Sequence, residues 1–289
     1  MASPNVEEAR SNHPHIFLVE NISDFLAVWL SKDLLQGTER EIFERYYQSY
    51  KRKFSKYMKY SYDQQSYELM EILKETKNAS VLEIGCGCGT ESLWMAYQGA
   101  RVTAIDIQED RLNVARRRQE ILEEHLERKL HLTIERASLF DLSGSGLFDI
   151  VWMEQALHHI EPREKALDRI THLVKEGGFI IISEANAWNP FIQIRLLAKR
   201  GFKTVIEYED QRGIKHAYGN ERIIFPNTLC REFAKRGIVR ESVRFFRLFP
   251  NMSWVEHLMG FERMMPQWLV PFFGHYNYIG KKISGRKHQ

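Results

Sequence analysis

Three groups of residues in this sequence have the types and spacing to do chemistry. The first is VLEIGCGCGT, from Val81 to Thr90, where an apolar run leads into Gly85, Gly87 and Gly89. Glycines there permit positive φ and carry no Cβ, so the backbone can turn sharply and approach a ligand closely. The second is Asp106, 21 residues after Gly85, at the end of the apolar run ARVTAIDI. A carboxylate in that position can accept hydrogen bonds from ribose hydroxyls. Loop and acid together fit NAD, FAD or an adenosyl ligand, although G-x-G-x-G-T departs from the dinucleotide fingerprint G-x-G-x-x-G. The third group is His158 and His159, with Glu154 and Gln155 just before them. Histidine titrates near neutral pH and can act as a general base toward a hydroxyl. Glu154 and His158 are four apart and would share a helix face, but the sequence offers no further ligands beside them, and C-x-C at Cys86 and Cys88 lacks zinc spacing. No metal is expected.

These residues fall at the joints of an alternating pattern. Short β-rich apolar runs at 80–84, 101–107, 131–135, 148–153 and 179–183 are separated by helix-period stretches at 90–98, 111–126 and 163–175. Such alternation predicts βαβ units and an α/β fold: a Rossmann-like, doubly wound, mostly parallel sheet with helices on both faces, binding ligands at the carboxyl ends of its strands. Residues 1–75, aromatic and basic without strand alternation, predict an N-terminal helical cap, and residues 76–289 the main domain. Two stretches, at about 186–222 and 251–273, are too long for ordinary connections and are expected to form lids. The second is rich in Met, Trp and Phe, suits an apolar pocket, and lies between strands expected at 241–248 and 275–281.

With these motifs in this order, the chain resembles the class I S-adenosylmethionine-dependent methyltransferases, in the small-molecule branch that includes quinone-precursor and natural-product enzymes. Their first motif, an acidic residue followed by x-G-x-G-x-G, is matched by Glu83, Gly85, Gly87 and Gly89. FDIVWMEQALHHI (Phe148 to Ile160) is similar to that branch's F-D-x-V strand and L-H-H loop. LVKEGGFIIISEAN (Leu173 to Asn186) is similar to its L-K-P-G-G turn, with Glu176 in place of proline, and FPNTLCREFAKRGI to its late helix. The resemblance covers about residues 65–285, with gaps at the two insertions. It implies a seven-stranded sheet, S-adenosyl-L-methionine as cofactor and S-adenosyl-L-homocysteine as product. It also implies that the loop, with Cys86, wraps the methionine end of the cofactor, and that Asp106, with Ile107 beside it, holds the ribose. Ala137, Ser138 and Leu139 stand where the family has G-D-A, so Ser138 would accept from the adenine without charge unless Asp141 takes that place. Glu154 and Gln155 fall at the amino group and sulfonium. Of Tyr46 and Tyr47, in a segment similar to F-D-x-x-A-x-x-Y, Tyr47 is assigned to the cofactor carboxylate. His159, and after it His158, is the candidate base for O-methylation.

Composition bounds the remaining choices. With 289 residues, 44% hydrophobic and 27% charged, the chain can bury a real core and is neither disordered nor fibrous. No apolar run approaches the roughly 20 residues of a spanning helix, and the N-terminus is polar and acidic, so a cytoplasmic protein is expected. Three cysteines support no disulfide framework. The net charge of +3 hides an asymmetry, because residues 190–289 carry 18 basic against 8 acidic residues. That basic third fits a solvated surface or an anionic partner.

The expected acceptor is a small organic or lipid-like molecule, methylated on oxygen. A nucleic-acid or other macromolecular substrate is the alternative suggested by the basic third. Yet M-E-Q-A-L stands where base-amine enzymes carry N/D-P-P-Y/F/W, and no Pro-Cys dipeptide occurs, so no nucleic-acid partner is expected. A non-catalytic S-adenosylmethionine-binding module is a second alternative, opposed by the intact loop and Asp106. Finally, PQWLVPFFGHYNYIGKKISGRK, from Pro266 to Lys287, joins apolar aromatics to a basic tail and fits peripheral contact with a membrane, although 275–281 also reads as the last strand.

Overall fold

A computed structural model describes residues 16–209 and 215–283. The first fifteen residues of the expected cap, residues 210–214 of the first insertion and the basic tail 284–289 lie outside the described residues. Four helices come first: α1 (Ile22–Ser31), α2 (Gly37–Tyr46), α3 (Gln48–Arg52) and α4 (Lys56–Glu75). The alternating region follows as β1 (Ser80–Ile84), α5 (Thr90–Tyr97), β2 (Arg101–Asp106), α6 (Glu109–Leu126), β3 (Leu132–Arg136), β4 (Phe148–Glu154), α7 (Arg163–Leu173) and β5 (Val174–Ala185). Then come α8 (Pro190–Arg200), the hairpin β6 (Val205–Glu209) and β7 (Lys215–Gly219), α9 (Pro226–Lys235), β8 (Ile238–Phe246) and β9 (His275–Lys282).

Seven strands form one sheet in the order β3-β2-β1-β4-β5-β9-β8, with β1 to β5 parallel and β9 antiparallel to both its neighbours. This is the expected Rossmann-like sheet of seven, mostly parallel strands. Its strand order reverses at β1, which pairs with β2 on one side and β4 on the other, and such a switch point opens a crevice beyond the strand ends. Register places Ile84 beside Met153, so the glycine loop and Glu154 leave the sheet side by side.

Both faces are covered, and alternation assigns each side chain to one of them. Val81, Ile150, Trp152 and Ile181 join a core shared with Trp94, Phe25, Trp29 and Leu69. Leu82, Ile84, Val151, Met153 and Ile182 join the opposite core with Leu157, Leu167 and Phe233. The first core runs unbroken across residue 75, so the N-terminal helices pack as part of the same body as the sheet. The Arg244 guanidinium on β8 pairs with Glu68 on α4, and Asn277 Nδ2 on β9 donates to Glu68 Oε2 at 2.7 Å.

The two insertions separate in role. The first is ordered as α8 and the β6–β7 hairpin, whose Tyr218 bridges to Ile160 and which stands against the strand ends. Its sequence reads as irregular because the hairpin strands alternate weakly and their core is another element. The second forms 3₁₀ turns, Ser253–Met264 and Gln267–Phe272. Tyr57 on α4 donates to Glu262 Oε2 at 2.9 Å, and Glu262 Oε1 accepts from the Arg247 N–H at 2.6 Å. These bonds help hold the segment against α4, and none of its described residues lines the cleft described below, where a lid is expected.

One side chain joins cap to loop. Arg118 on α6 is fully buried; its Nη1 donates to the Cys88 carbonyl at 2.7 Å and to Thr90 Oγ1 at 2.9 Å. Its guanidinium carbon lies 4.6 Å from the Trp29 ring and 4.8 Å from the Phe43 ring. Arg118→Leu should lower stability by about 3 kcal/mol, because the loop acceptors lose a buried donor. Denaturant unfolding checks this; a loss under about 1 kcal/mol would deny Arg118 that role.

Candidate active site

A cleft of about 1030 Å³ opens at the carboxyl ends of β1, β2, β3 and β4, with the β6–β7 hairpin on its far side. That is room for a nucleoside-sized cofactor and a small acceptor together. The floor requires glycine. Gly85 has φ +79°, and a Cβ built on it would stand 2.7 Å from Ala156 Cβ; at Gly89, with φ +76°, the neighbour is Ala115 Cβ at 2.9 Å. Gly87 lies directly under the ring of Tyr46, which leaves no room for a side chain, and Arg111 stacks over the same ring at 5.1 Å.

Asp106 ends β2 and is held by two main-chain donors. Gly87 N–H donates to Oδ2 at 2.9 Å and Gln108 N–H to Oδ1 at 2.8 Å. Each oxygen keeps a further lone pair, so the carboxylate is preorganised to accept from a pair of ligand hydroxyls. Ile107, half exposed, and Leu139 and Phe140 supply apolar walls beside it.

Of the residues expected at the site, Gly85, Asp106, Ile107, Ser138, Leu139, Glu154, Gln155, His158 and His159 line this cleft. Others support it from behind. Glu83 faces α5 and accepts from the Ser92 hydroxyl, Cys86 is buried with its thiol pushed up by desolvation, and Gly87 and Gly89 shape the turn. Tyr47 does not reach the cleft: it is buried, and its hydroxyl bonds Thr90 Oγ1 at 2.7 Å. Tyr46 lines the cleft in its place, because the end of α2 turns alternate residues toward core and loop. Ser138 Oγ accepts from Phe140 N–H at 3.3 Å, and Asp141 Oδ2 accepts from Ser138 N–H at 2.9 Å. Asp141 is thus engaged in a turn and is absent from the lining.

The charge of the site is carried by carboxylates. Glu154 at the end of β4 is half-buried, and its carboxyl makes no hydrogen bond to any described residue. Burial pushes its carboxyl well above the usual range, and the charges of Glu91, Glu184 and Glu83 push it further. A ligand bringing positive charge next to paired hydroxyls would relieve this, and S-adenosylmethionine carries both an ammonium and a sulfonium beside its ribose. The residues present therefore fit that cofactor. Gln155 takes φ +46° and its Nε2 contacts His275 Nδ1 at 3.1 Å, an unfavourable backbone conformation beside a half-buried histidine whose pKa desolvation lowers to about 3.

The two histidines sit in unlike surroundings. His158 Nδ1 lies 2.7 Å from Glu184 Oε2, and its main-chain N–H donates to Glu184 Oε1 at 3.3 Å. Burial alone would lower the His158 pKa, but the charge and hydrogen bond of Glu184, which is wholly buried, raise it above its ordinary value. Its Nε2 lies 3.9 Å from Glu221 Oε2, and Glu221 pairs with Lys199 at 2.8 Å. His159 Nδ1 donates to the Gly219 carbonyl at 3.0 Å and its ring stacks on Tyr218 at 4.9 Å. Burial and the neighbouring His158 lower its pKa. Of this constellation Glu184, Glu221, Tyr218 and Arg111 escape sequence reasoning. Glu184 could have been found, as an acid at the end of β5 just after the apolar run 179–182.

Comparison with known proteins accords with this geometry. Residues 82–180 match a family model described as a methyltransferase domain. A ubiquinone biosynthesis O-methyltransferase of Aeromonas salmonicida is 29% identical over 161 residues, which are 55% of this chain and 62% of that protein. A protein of the same name from Azotobacter vinelandii is 37% identical over 108 residues, 37% of this chain and 44% of that one. The chain thus spans less than two thirds of the length of these curated relatives. Among solved structures, magnesium protoporphyrin IX methyltransferase of Synechocystis, with bound SAH, superposes with a TM-score of 0.53 at 16% identity, covering 83% of this chain and 93% of that one. With its motifs at the switch point of the sheet, inside the matched span, the chain carries a methyltransferase domain over residues 82–180, in a fold shared with S-adenosylmethionine-dependent methyltransferases, and S-adenosyl-L-methionine is the cofactor that this domain and its lining fit.

Proposed function

We propose that this chain methylates a hydroxyl group of a small organic or lipid-like acceptor, with His158 as the general base. The observation that carries this reading is that His158, which lines the cleft, is bonded from behind to the buried Glu184. Bound in the cleft, the cofactor supplies an electrophilic methyl carbon. Asp106 accepts from its ribose hydroxyls, Ser138, Leu139 and Ile107 border the adenine, and Glu154 balances its positive charge. The acceptor enters between the histidines and the β6–β7 hairpin, where Tyr218 and Tyr208 limit access of water.

His158 Nε2 then takes the acceptor's hydroxyl proton while Nδ1–H remains bonded to Glu184. Glu184 fixes the tautomer and stabilises the imidazolium that forms, and Glu221, 3.9 Å from Nε2, adds to that stabilisation. The names of the relatives support oxygen as the atom methylated. The first assay is transfer of labelled methyl from S-adenosylmethionine into a cell extract. Label in the solvent-extractable or small water-soluble fraction agrees with this reading. Label in acid-precipitable material moves the substrate to a macromolecule, and absence of transfer with intact cofactor binding leaves a binding module.

Asp106→Ala should weaken cofactor binding about a hundredfold by calorimetry, because a charged acceptor to two hydroxyls is lost. Unchanged affinity would displace the ribose from Asp106. The base must be neutral to act, so kcat/KM should fall as pH drops through the raised pKa of His158, at a point above 6.5. Glu184→Gln removes the charge that raises it and should move that inflection to lower pH, with kcat reduced about tenfold or more. Were His159 the base, the inflection would lie below 6.5 and would barely respond to Glu184→Gln.

A further inference from the structure

Helix α8 is an amphipathic helix whose apolar side is turned outward. Of its eleven residues only Leu196 is buried. Phe191 is 69% exposed, Ile194 65% and, just past the helix, Phe202 91%. An isolated exposed phenylalanine has no meaning, but these fall at successive turns of one helix and continue into its C-terminal connection.

The surface extends beyond the helix. Asn189 Nδ2 donates to the Phe272 carbonyl at 2.8 Å, and Asn186 Nδ2 to the Val270 carbonyl at 2.9 Å. These bonds fasten the start of α8 to the 3₁₀ turn Gln267–Phe272, where Trp268 is 71% exposed. Helix and turn are therefore neighbours, and each exposes apolar side chains. The segment is basic: no acidic residue occurs from Ala185 to Ile206, Arg195 and Lys203 are exposed, and of its other cations Lys199 pairs with Glu221 and Arg200 is half-buried.

We propose that α8 and the 267–272 turn form a docking face for an anionic lipid bilayer. Aromatic and aliphatic side chains enter the interfacial region while the cations meet lipid phosphates, the arrangement of a helix that lies in the plane of a membrane. No helix of the described residues is long and apolar enough to cross one, so the association is peripheral. A second copy of the chain is a poorer occupant, because a two-fold pairing through this face would set the exposed Arg195 and Lys203 against their equivalents. The face also adjoins the site: Lys199 on α8 pairs with Glu221, the neighbour of His158, and α8 leads directly into the hairpin that borders the cleft. A docked molecule would thus carry its cleft near the bilayer, where lipid-like acceptors concentrate. The proposal itself requires no turnover and stands or falls independently of the acceptor.

The test is flotation of the full chain with phosphatidylcholine vesicles containing about one third phosphatidylglycerol. Binding at low salt is expected, at least about tenfold weaker on phosphatidylcholine alone or at high salt. The variant Phe191→Ser/Ile194→Ser/Phe202→Ser should lose about tenfold in vesicle affinity while its circular dichroism and its affinity for S-adenosylhomocysteine stay unchanged. Should that variant misfold, Arg195→Glu/Lys203→Glu, which alters exposed side chains only, should lose the salt-sensitive binding. No flotation at low salt, or flotation equal to wild type in either folded variant, overturns the proposal. So does a concentration-dependent dimer that the apolar variant dissolves in the absence of any vesicle binding, which would assign the face to a second copy.

Discussion

A guanidinium with no access to water fixes the geometry of the glycine loop. Arg118 reaches from α6 to the Cys88 carbonyl and Thr90, and is roofed by Trp29 and Phe43 from the N-terminal helices. Its Nε and Nη2 meet no acceptor among the described residues, so the aromatic faces carry part of the compensation for removing the charge from water. The consequence is mutual dependence: the loop holds its turn because the cap is in place, and the cap is ordered partly by what the loop's arginine offers it. Gly87 N–H, one of the two donors that orient Asp106, belongs to that loop, so the acid's aim is set by the same contact.

Around this positive centre the interior is acidic. Glu83, Glu91, Glu154 and Glu184 stand near the strand ends, and for the first three burial raises the carboxyl above its usual range. Tyr62 and Ser92 donate to two of them, and His158 binds the fourth. Glu154 alone of the four waits for a partner among the described residues. Burial and its acidic neighbours disfavour the charged form of Glu154 while no ligand is bound, and the ligand that would stabilise that charge is a cation. The same field, acting on His158 through Glu184, prepares a base strong enough to take a proton near neutral pH.

The part of this that the sequence discloses is what local backbone chemistry dictates. The central strands are legible because their residues are buried on both faces and so read as apolar runs, and β1 begins and ends where its residues say it should, whereas β3, at the sheet edge, is largely exposed. The glycines and Asp106 are legible because only their residue types can serve at those joints. What escapes is tertiary. Tyr46 and Tyr47 are neighbours of one type, and which of them faces the loop depends on how α2 lies against α6. Glu184 lies in a strand, twenty-six residues beyond the histidine it serves, and no spacing rule connects them. The 186–222 stretch forms a helix and hairpin whose order comes from contact with the His158 loop, as in the bridge between Ile160 and Tyr218, and not from its own periodicity.

The placement of β9 bears on how the molecule comes to be assembled. That strand is inserted between β5 and β8, so the sheet's last seam is closed by residues 275–282. Until they have been synthesised and inserted, β5 presents an open edge, with Glu184 lacking the neighbour, Tyr276, that lies beside it in register. The pairings among β1 to β4 draw only on residues 80–154, all made before β9. The acid behind the histidine cannot take its final buried position so early. Cofactor cradle and proton acceptor are thus completed at different moments in the life of the chain, the cradle first, and a nascent molecule could hold the methyl donor before it is competent to use it.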